Sequence, residues 1–176
     1  MKRIFSILIA LTMVLCLFAC DNGGNGGGTA YTGDLDGEKT KLVINGNKAT
    51  FSAEITNEIA AAKVKITQKL TQTGIIESNE DGVITVVFNK AGAAATMSMK
   101  ITGSGAADYI KAAKAQFEGV EGAAGEAMLK LLNGKTLNMK YGDDYWETVG
   151  PTSGNTIVVK IDTTKKTFTQ MDSGIG

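Results

Sequence analysis

One short segment of the chain gathers the side chains best suited to recognising a ligand. The stretch Gly142–Glu147 contains the only tryptophan, Trp146, together with Tyr145 and several carboxylates, and Tyr141 comes just before it. Aromatic rings can stack on a sugar or a peptide while a phenol hydroxyl and carboxylates form hydrogen bonds. We therefore take Tyr141, Tyr145 and Trp146 as the candidate ligand-binding residues.

The same segment also has a purely structural interpretation. In an extended chain, alternate side chains point to opposite sides, so Asp143, Tyr145 and Glu147 would face one way. Asp144 and Trp146 would face the other way, and the adjacent aspartates would not converge on one substrate. A lone tryptophan is most often a core residue. This interpretation predicts an acidic turn that leads into a strand, with Trp146 filling the core.

The rest of the sequence offers little to a catalytic mechanism. It has no histidine and only two cysteines, which removes the commonest general base and the usual zinc ligand. The motifs Ser-x-x-Lys and Gly-x-Ser-x-Gly do not occur in it. We expect no metal and no cofactor, and a binding role rather than catalysis; an enzyme that uses carboxylates on glycans is an alternative.

The charge balance argues against a nucleic-acid partner. The chain has 18 basic and 18 acidic residues, and its lysines and arginines are scattered rather than clustered. Proteins that bind nucleic acids neutralise phosphates with concentrated positive charge. We therefore expect a membrane, a protein or a small molecule as the partner.

The first twenty residues have the order of an export signal. Lys2 and Arg3 precede an apolar run from Ile4 to Ala19, which ends at Cys20. The run is shorter than the roughly 20 residues that a permanent membrane helix needs. The sequence Leu17-Phe18-Ala19-Cys20 resembles the bacterial lipobox.

This resemblance implies a lipoprotein of a Gram-negative bacterium, cleaved before Cys20 and lipidated on that cysteine, for example with palmitate. It implies residues 1–19 as the signal peptide, and the glycine-rich residues that follow Cys20 make residues 20–28 a lipidated tether. The length of the remaining chain is typical of one domain, so we expect residues 29–176 to form a single domain, of the α+β class by the pattern described next. The domain would lie outside the cytoplasm, anchored to the cell membrane or to the outer membrane.

After the tether, short segments of alternating apolar and polar residues predict antiparallel strands. Lys41–Ile44 and Lys48–Ile55 flank Asn45-Gly46-Asn47, which is typical of a tight hairpin turn. A third strand is predicted near Val64–Thr71. A second hairpin is predicted from Val83–Phe88 with Ala95–Ile101, and a third from Ile157–Ile161 with Lys166–Met171.

Apolar residues recur at three- and four-residue steps over about 106–132, which predicts one inserted helical region. Glycines at 119, 122 and 125 favour a break into two helices, Asn133-Gly134 favours a stop, and Ser104 is the expected N-terminal cap. We predict an α+β fold: an antiparallel β meander that forms a curved sheet or a partly closed barrel and packs on this helical region.

The chain from Tyr31-Thr32-Gly33 through the first hairpin resembles the opening of small lipocalin-like domains found in uncharacterised Gram-negative lipoproteins. The resemblance implies a barrel mouth that could hold a small ligand. Three functions remain open at this point. The first is a non-catalytic binding or interaction module of the cell envelope, the second is a structural envelope component without a ligand, and the third is the glycan-acting enzyme.

Overall fold

The computed structural model describes residues 28–35, 37–149 and 156–171. The predicted signal peptide, Cys20 and the tether up to residue 27 lie outside the described residues. Within the described ranges the strands are β1 (Thr29–Leu35), β2 (Glu38–Asn45), β3 (Lys48–Ile59), β4 (Val64–Glu80), β5 (Val83–Val87), β6 (Ala94–Thr102), β7 (Leu137–Lys140), β8 (Thr156–Asp162) and β9 (Thr167–Met171). The helices are α1 (Ala106–Phe117), α2 (Ala123–Leu132) and α3 (Asp144–Val149).

Seven of these strands close into a barrel. The order around it is β1-β2-β3-β4-β5-β8-β9, and β9 returns to β1 through a parallel pairing at Thr32 and Thr167, whereas the other pairings are antiparallel. The strands β6 and β7 extend the sheet sideways from β4. The predicted α+β fold with an antiparallel sheet is confirmed, and the barrel is closed rather than partly closed.

The first and third predicted hairpins are confirmed. In the first, Asn45 pairs with Lys48 across a turn in which Gly46 has a φ of 59°. Few residues other than glycine, asparagine and aspartate adopt that conformation easily, so the local sequence determines this turn. In the third hairpin, β8 and β9 pair antiparallel from Asp162 and Thr167 onward.

The second predicted hairpin is wrong, because β5 and β6 do not pair with each other. Both pair with β4, which at 17 residues is long enough to take two partners along one edge. Its first part pairs with β6 as far as Thr73 and Ala94, and its last part pairs with β5 from Ile75 and Val87. Gly74 lies at the change of partner, where a Cβ would come within 2.5 Å of a Val86 methyl group.

The paired strands β3 and β4 show why this part of the chain forms a sheet. Their inner faces carry buried apolar residues and two glutamines, while their outer faces carry a ladder of matched polar pairs. Threonine and serine hydroxyls bond across the strands, and lysines pair with glutamates. The pairs are Thr50 with Thr73, Ser52 with Thr71, Glu54 with Lys69, Thr56 with Thr67, and Glu58 with Lys65. Such cross-strand pairs fix the register.

Aromatic side chains pack inside the barrel. The ring of Phe51 lies 6.2 Å, centroid to centroid, from that of Phe88 and 6.2 Å from that of Phe168, and all three are nearly fully buried. They belong to a core that continues under the helices through Met97, Leu131 and other apolar residues. Tilted and edge-on ring pairs of this kind add specific stabilisation to the burial of apolar surface.

The helical region has the predicted break and stop. Gly119 and Gly122, which lie between α1 and α2, both have φ values above 90°. The helix α2 ends at Leu132 and is followed by Asn133 as its C-terminal cap and by Gly134, whose φ is 70°. The predicted cap by Ser104 is wrong. Gly105, which has no side chain to cap the helix, is the residue that precedes α1. Its N–H donates a hydrogen bond of 3.3 Å to the carbonyl of Lys63, in the connection between β3 and β4.

Candidate functional site

A cleft of about 690 Å³ opens where the start of α2, β7 and the start of α3 meet. We call it the Tyr145 cleft. Its lining residues are Gly122, Ala123, Glu126, Asn138, Gly142, Asp143, Asp144 and Tyr145. Three separate elements therefore contribute to it.

The turn before α3 positions Tyr145. The Oδ2 atom of Asp143 accepts a hydrogen bond of 2.9 Å from the backbone N–H of Lys140, and the N–H of Asp143 donates to the Lys140 carbonyl at 3.0 Å. The N–H of Trp146 then donates to the Asp143 carbonyl at 2.9 Å, which begins the helix. The predicted extended conformation is wrong here, because the aspartate closes a turn instead of leading into a strand.

The helix separates the three candidate residues. Consecutive side chains on a helix point about 100° apart, so Tyr145 lines the cleft while Trp146 points into the core. Trp146 is only 1% exposed, in agreement with the core interpretation of this residue. Tyr141 is 41% exposed and lies edge-on to the Trp146 ring at 6.2 Å. Of the three, only Tyr145 lines the cleft.

The hydroxyl of Tyr145 joins two residues of α2. It donates a hydrogen bond of 2.9 Å to Oε2 of Glu126 and accepts one from Nζ of Lys130. The Lys130 ammonium group also lies 4.5 Å from the centre of the Tyr145 ring. The hydrogen bond to Tyr145 is the main cause that raises the pKa of Lys130, and the charge of Glu126 adds to it. Lys130 therefore stays protonated and holds the phenol at the cleft wall.

The lining of the cleft is acidic. Glu126, Asp143 and Asp144 contribute carboxylates, and no lysine or arginine is among the lining residues. Within the described part of the chain, no group of three acidic side chains is arranged to hold a metal ion. The arrangement is suited to hydrogen-bond donors and positive charge on a ligand.

Sequence reasoning missed Glu126 and Asn138. Glu126 reads as a solvent-facing helical residue and Asn138 as part of a loop after the helix stop. Glu126 is 19 residues from Tyr145 in the sequence, and the packing of α2 and β7 against α3 brings it and Asn138 to the same cleft as Tyr145. No pattern in the sequence signals this arrangement.

A second hollow, of about 460 Å³, lies on the outside of the hairpin formed by β8 and β9. It is lined by residues such as Lys160, Asp162 and Lys165. The carboxylate of Asp162 accepts hydrogen bonds from the backbone N–H groups of Lys165 and Thr164, and these bonds lower the pKa of Asp162. That carboxylate therefore stabilises the turn, and the hollow is the outer surface of a hairpin.

No family model matches the chain, and comparison with curated proteins and with solved structures found none that is similar to it. Separately, none of the described helices combines the length and the apolar character that crossing a membrane requires.

Proposed function

We propose that the protein is a membrane-anchored lipoprotein of the bacterial cell envelope that acts without catalysis and binds positively charged groups of a ligand in the Tyr145 cleft. The lipid anchor would be Cys20, and the membrane would be the cell membrane or the outer membrane. The cleft is the observation that carries the binding part of this proposal.

Three features of the cleft support a binding role. Its volume of about 690 Å³ lies within the range of about 300–1,000 Å³ that small-molecule sites occupy. The Tyr145 hydroxyl is hydrogen-bonded to both Glu126 and Lys130, so a ligand meets a preformed wall. The acidic lining provides charge complementarity for amines and guanidinium groups.

The arrangement of the N-terminal part supports the anchor. The apolar run ends in the lipobox-like Leu17-Phe18-Ala19-Cys20, and β1 begins at Thr29, directly after the glycine-rich stretch. A tether of this length has a mean reach of roughly 15 Å. Several acyl chains on one cysteine hold a protein stably, because each buried CH₂ contributes about 0.8 kcal/mol.

The anchor is tested with Cys20→Ala. Because the acyl acceptor is lost, we expect the variant to accumulate as unprocessed precursor without lipid, as measured by the intact mass of its N-terminal peptide and by membrane partitioning. Cys16→Ala is the matched control, and its processing should be unchanged. Normal lipid content in Cys20→Ala would refute the anchor.

The cleft is tested with a trisaccharide of glucosamine and its N-acetylated counterpart, which lacks the positive charges. We expect the cationic sugar to shift backbone amide NMR signals around the cleft, and Glu126→Gln to weaken its binding by roughly fivefold, the worth of one partly exposed ion pair. Asp162→Asn, in the hollow outside β8 and β9, is the control and should bind normally. Equal binding of both sugars, or no effect of Glu126→Gln, would contradict the proposal.

A further inference from the structure

The strand β7 has a free edge. Among the described residues it pairs with β6 alone and is the last strand of the sheet. Such an edge presents backbone N–H and C=O groups with which another strand can pair.

The hydrogen bonds at the end of β7 show which of its backbone groups face away from β6. The N–H of Tyr141 donates to the carbonyl of Ala93 at 3.1 Å, so odd-numbered residues of this segment bond toward β6. In an antiparallel pair these alternate with residues whose N–H and C=O point away from the partner strand. Lys140 and Asn138 are the residues of β7 whose backbone N–H and C=O groups point away from β6.

Asp143 already occupies the outward groups of Lys140. Its carboxylate accepts the Lys140 N–H at 2.9 Å, and its own N–H donates to the Lys140 carbonyl at 3.0 Å, so it takes the place of a neighbouring strand. No described backbone group lies in the same way against the outward side of Asn138. Among the described residues, the edge of β7 is therefore capped at Lys140 and has no backbone partner at Asn138.

This edge position borders the Tyr145 cleft. Asn138 lines the cleft together with Glu126 and the segment 142–145. A segment that paired with Asn138 would lie along the cleft, with side chains close to the carboxylates of Glu126, Asp143 and Asp144 that line it. Charge complementarity thus favours a chain that carries lysine or arginine.

We propose that the Tyr145 cleft binds an extended, basic peptide segment of a protein partner, which adds to the sheet as a strand beside β7 at Asn138. This inference rests on the proposed function, because it names the ligand class of the same cleft. Backbone hydrogen bonds to Asn138 supply the alignment, and the carboxylates supply the preference for positive side chains.

The probe is a heptapeptide of alternating lysine and threonine with blocked ends, titrated against the full chain in detergent micelles. Asn138→Pro removes the outward N–H without removing a bond to β6, and proline is tolerated at such an edge position. We expect Asn138→Pro to weaken peptide binding by roughly tenfold, as the loss of one well-aligned hydrogen bond would. Asn138→Ala keeps the N–H and removes only the side chain, so Asn138→Pro should bind at least several-fold more weakly than Asn138→Ala. Asp162→Asn, which lies outside the cleft in the hollow of β8 and β9, is the control and should bind like the original chain.

A second measurement does not depend on the folding of a variant. A peptide with N-methyl groups on alternate amides cannot pair on that edge, and we expect it to bind the unaltered chain at least several-fold more weakly, whereas a peptide of alternating glutamate and threonine should not bind. Equal affinity of the methylated and unmethylated lysine peptides would overturn strand addition.

The outcomes separate this inference from the proposed function. If the glucosamine trisaccharide binds and responds to Glu126→Gln while N-methylation of the peptide has no effect, the cleft binds cations but does not extend the sheet. If neither the sugar nor the peptide binds, the binding role of the cleft itself is refuted.

Discussion

Replacing Trp146 with alanine is expected to lower the free energy of unfolding by about 3–5 kcal/mol, the usual cost of deleting a large buried aromatic ring. The indole is 1% exposed and forms part of the core between α3 and the sheet. Its loss leaves a cavity that the surrounding residues fill only in part. Urea denaturation followed by circular dichroism measures the effect.

Two further variants test whether lost packing of the indole ring causes this destabilisation. The Nε1 atom of Trp146 is buried and finds no hydrogen-bond acceptor among the described residues, so Trp146→Phe loses no hydrogen bond. We expect that variant to cost about 1–2 kcal/mol, because only part of the packing is lost. Tyr141→Ala, on the exposed side of the same ring pair, should cost about 1 kcal/mol. If Trp146→Phe lowered the free energy of unfolding as much as Trp146→Ala, lost packing would not explain the destabilisation.

The second large effect is expected at Gly105, where alanine should destabilise the protein by about 3 kcal/mol through overpacking. A Cβ at this position would lie 1.9 Å from the backbone oxygen of Ala62, which cannot rotate away. The φ of Gly105 is −94°, a value that alanine also adopts, so the cost comes from the collision alone.

Gly119→Ala is the matched control for backbone strain. Gly119 has a φ of 93°, but nothing lies within 4 Å of the position of its Cβ. We expect this variant to cost about 1–2 kcal/mol, from strain only. Thermal unfolding of both variants gives the comparison, and a smaller loss for Gly105→Ala than for Gly119→Ala would contradict the steric explanation.

Local patterns were sufficient for the elements that local chemistry controls. Asn45-Gly46 predicts the first turn because few residue pairs accept the required backbone angles, and the structure has the turn there. Glycines at 119 and 122 predict the interruption between α1 and α2 because glycine is costly inside a helix. At these places, the conformational preferences of a few consecutive residues determine the structure.

Such local patterns do not predict which strands pair with each other. The alternation in β5 and β6 predicts two strands correctly, but the length of β4 lets both pair with it instead of with each other. Similarly, alternation over 143–147 suggested an extended segment, whereas the hydrogen bonds between Asp143 and Lys140 close a turn and start α3.

By itself, the sequence determined that the chain is built from amphipathic strands with a broken helical region at about 106–132, that it contains no histidine, and that Trp146 suits a core. Only the tertiary structure decided that the barrel closes, that Glu126 and Asn138 meet Tyr145 at one cleft, and that Asp143 caps the edge of β7 at Lys140. The physical reason is that strand pairing and helix docking depend on contacts between residues far apart in the chain. A local pattern of apolar and polar residues contains no information about the energies of those contacts.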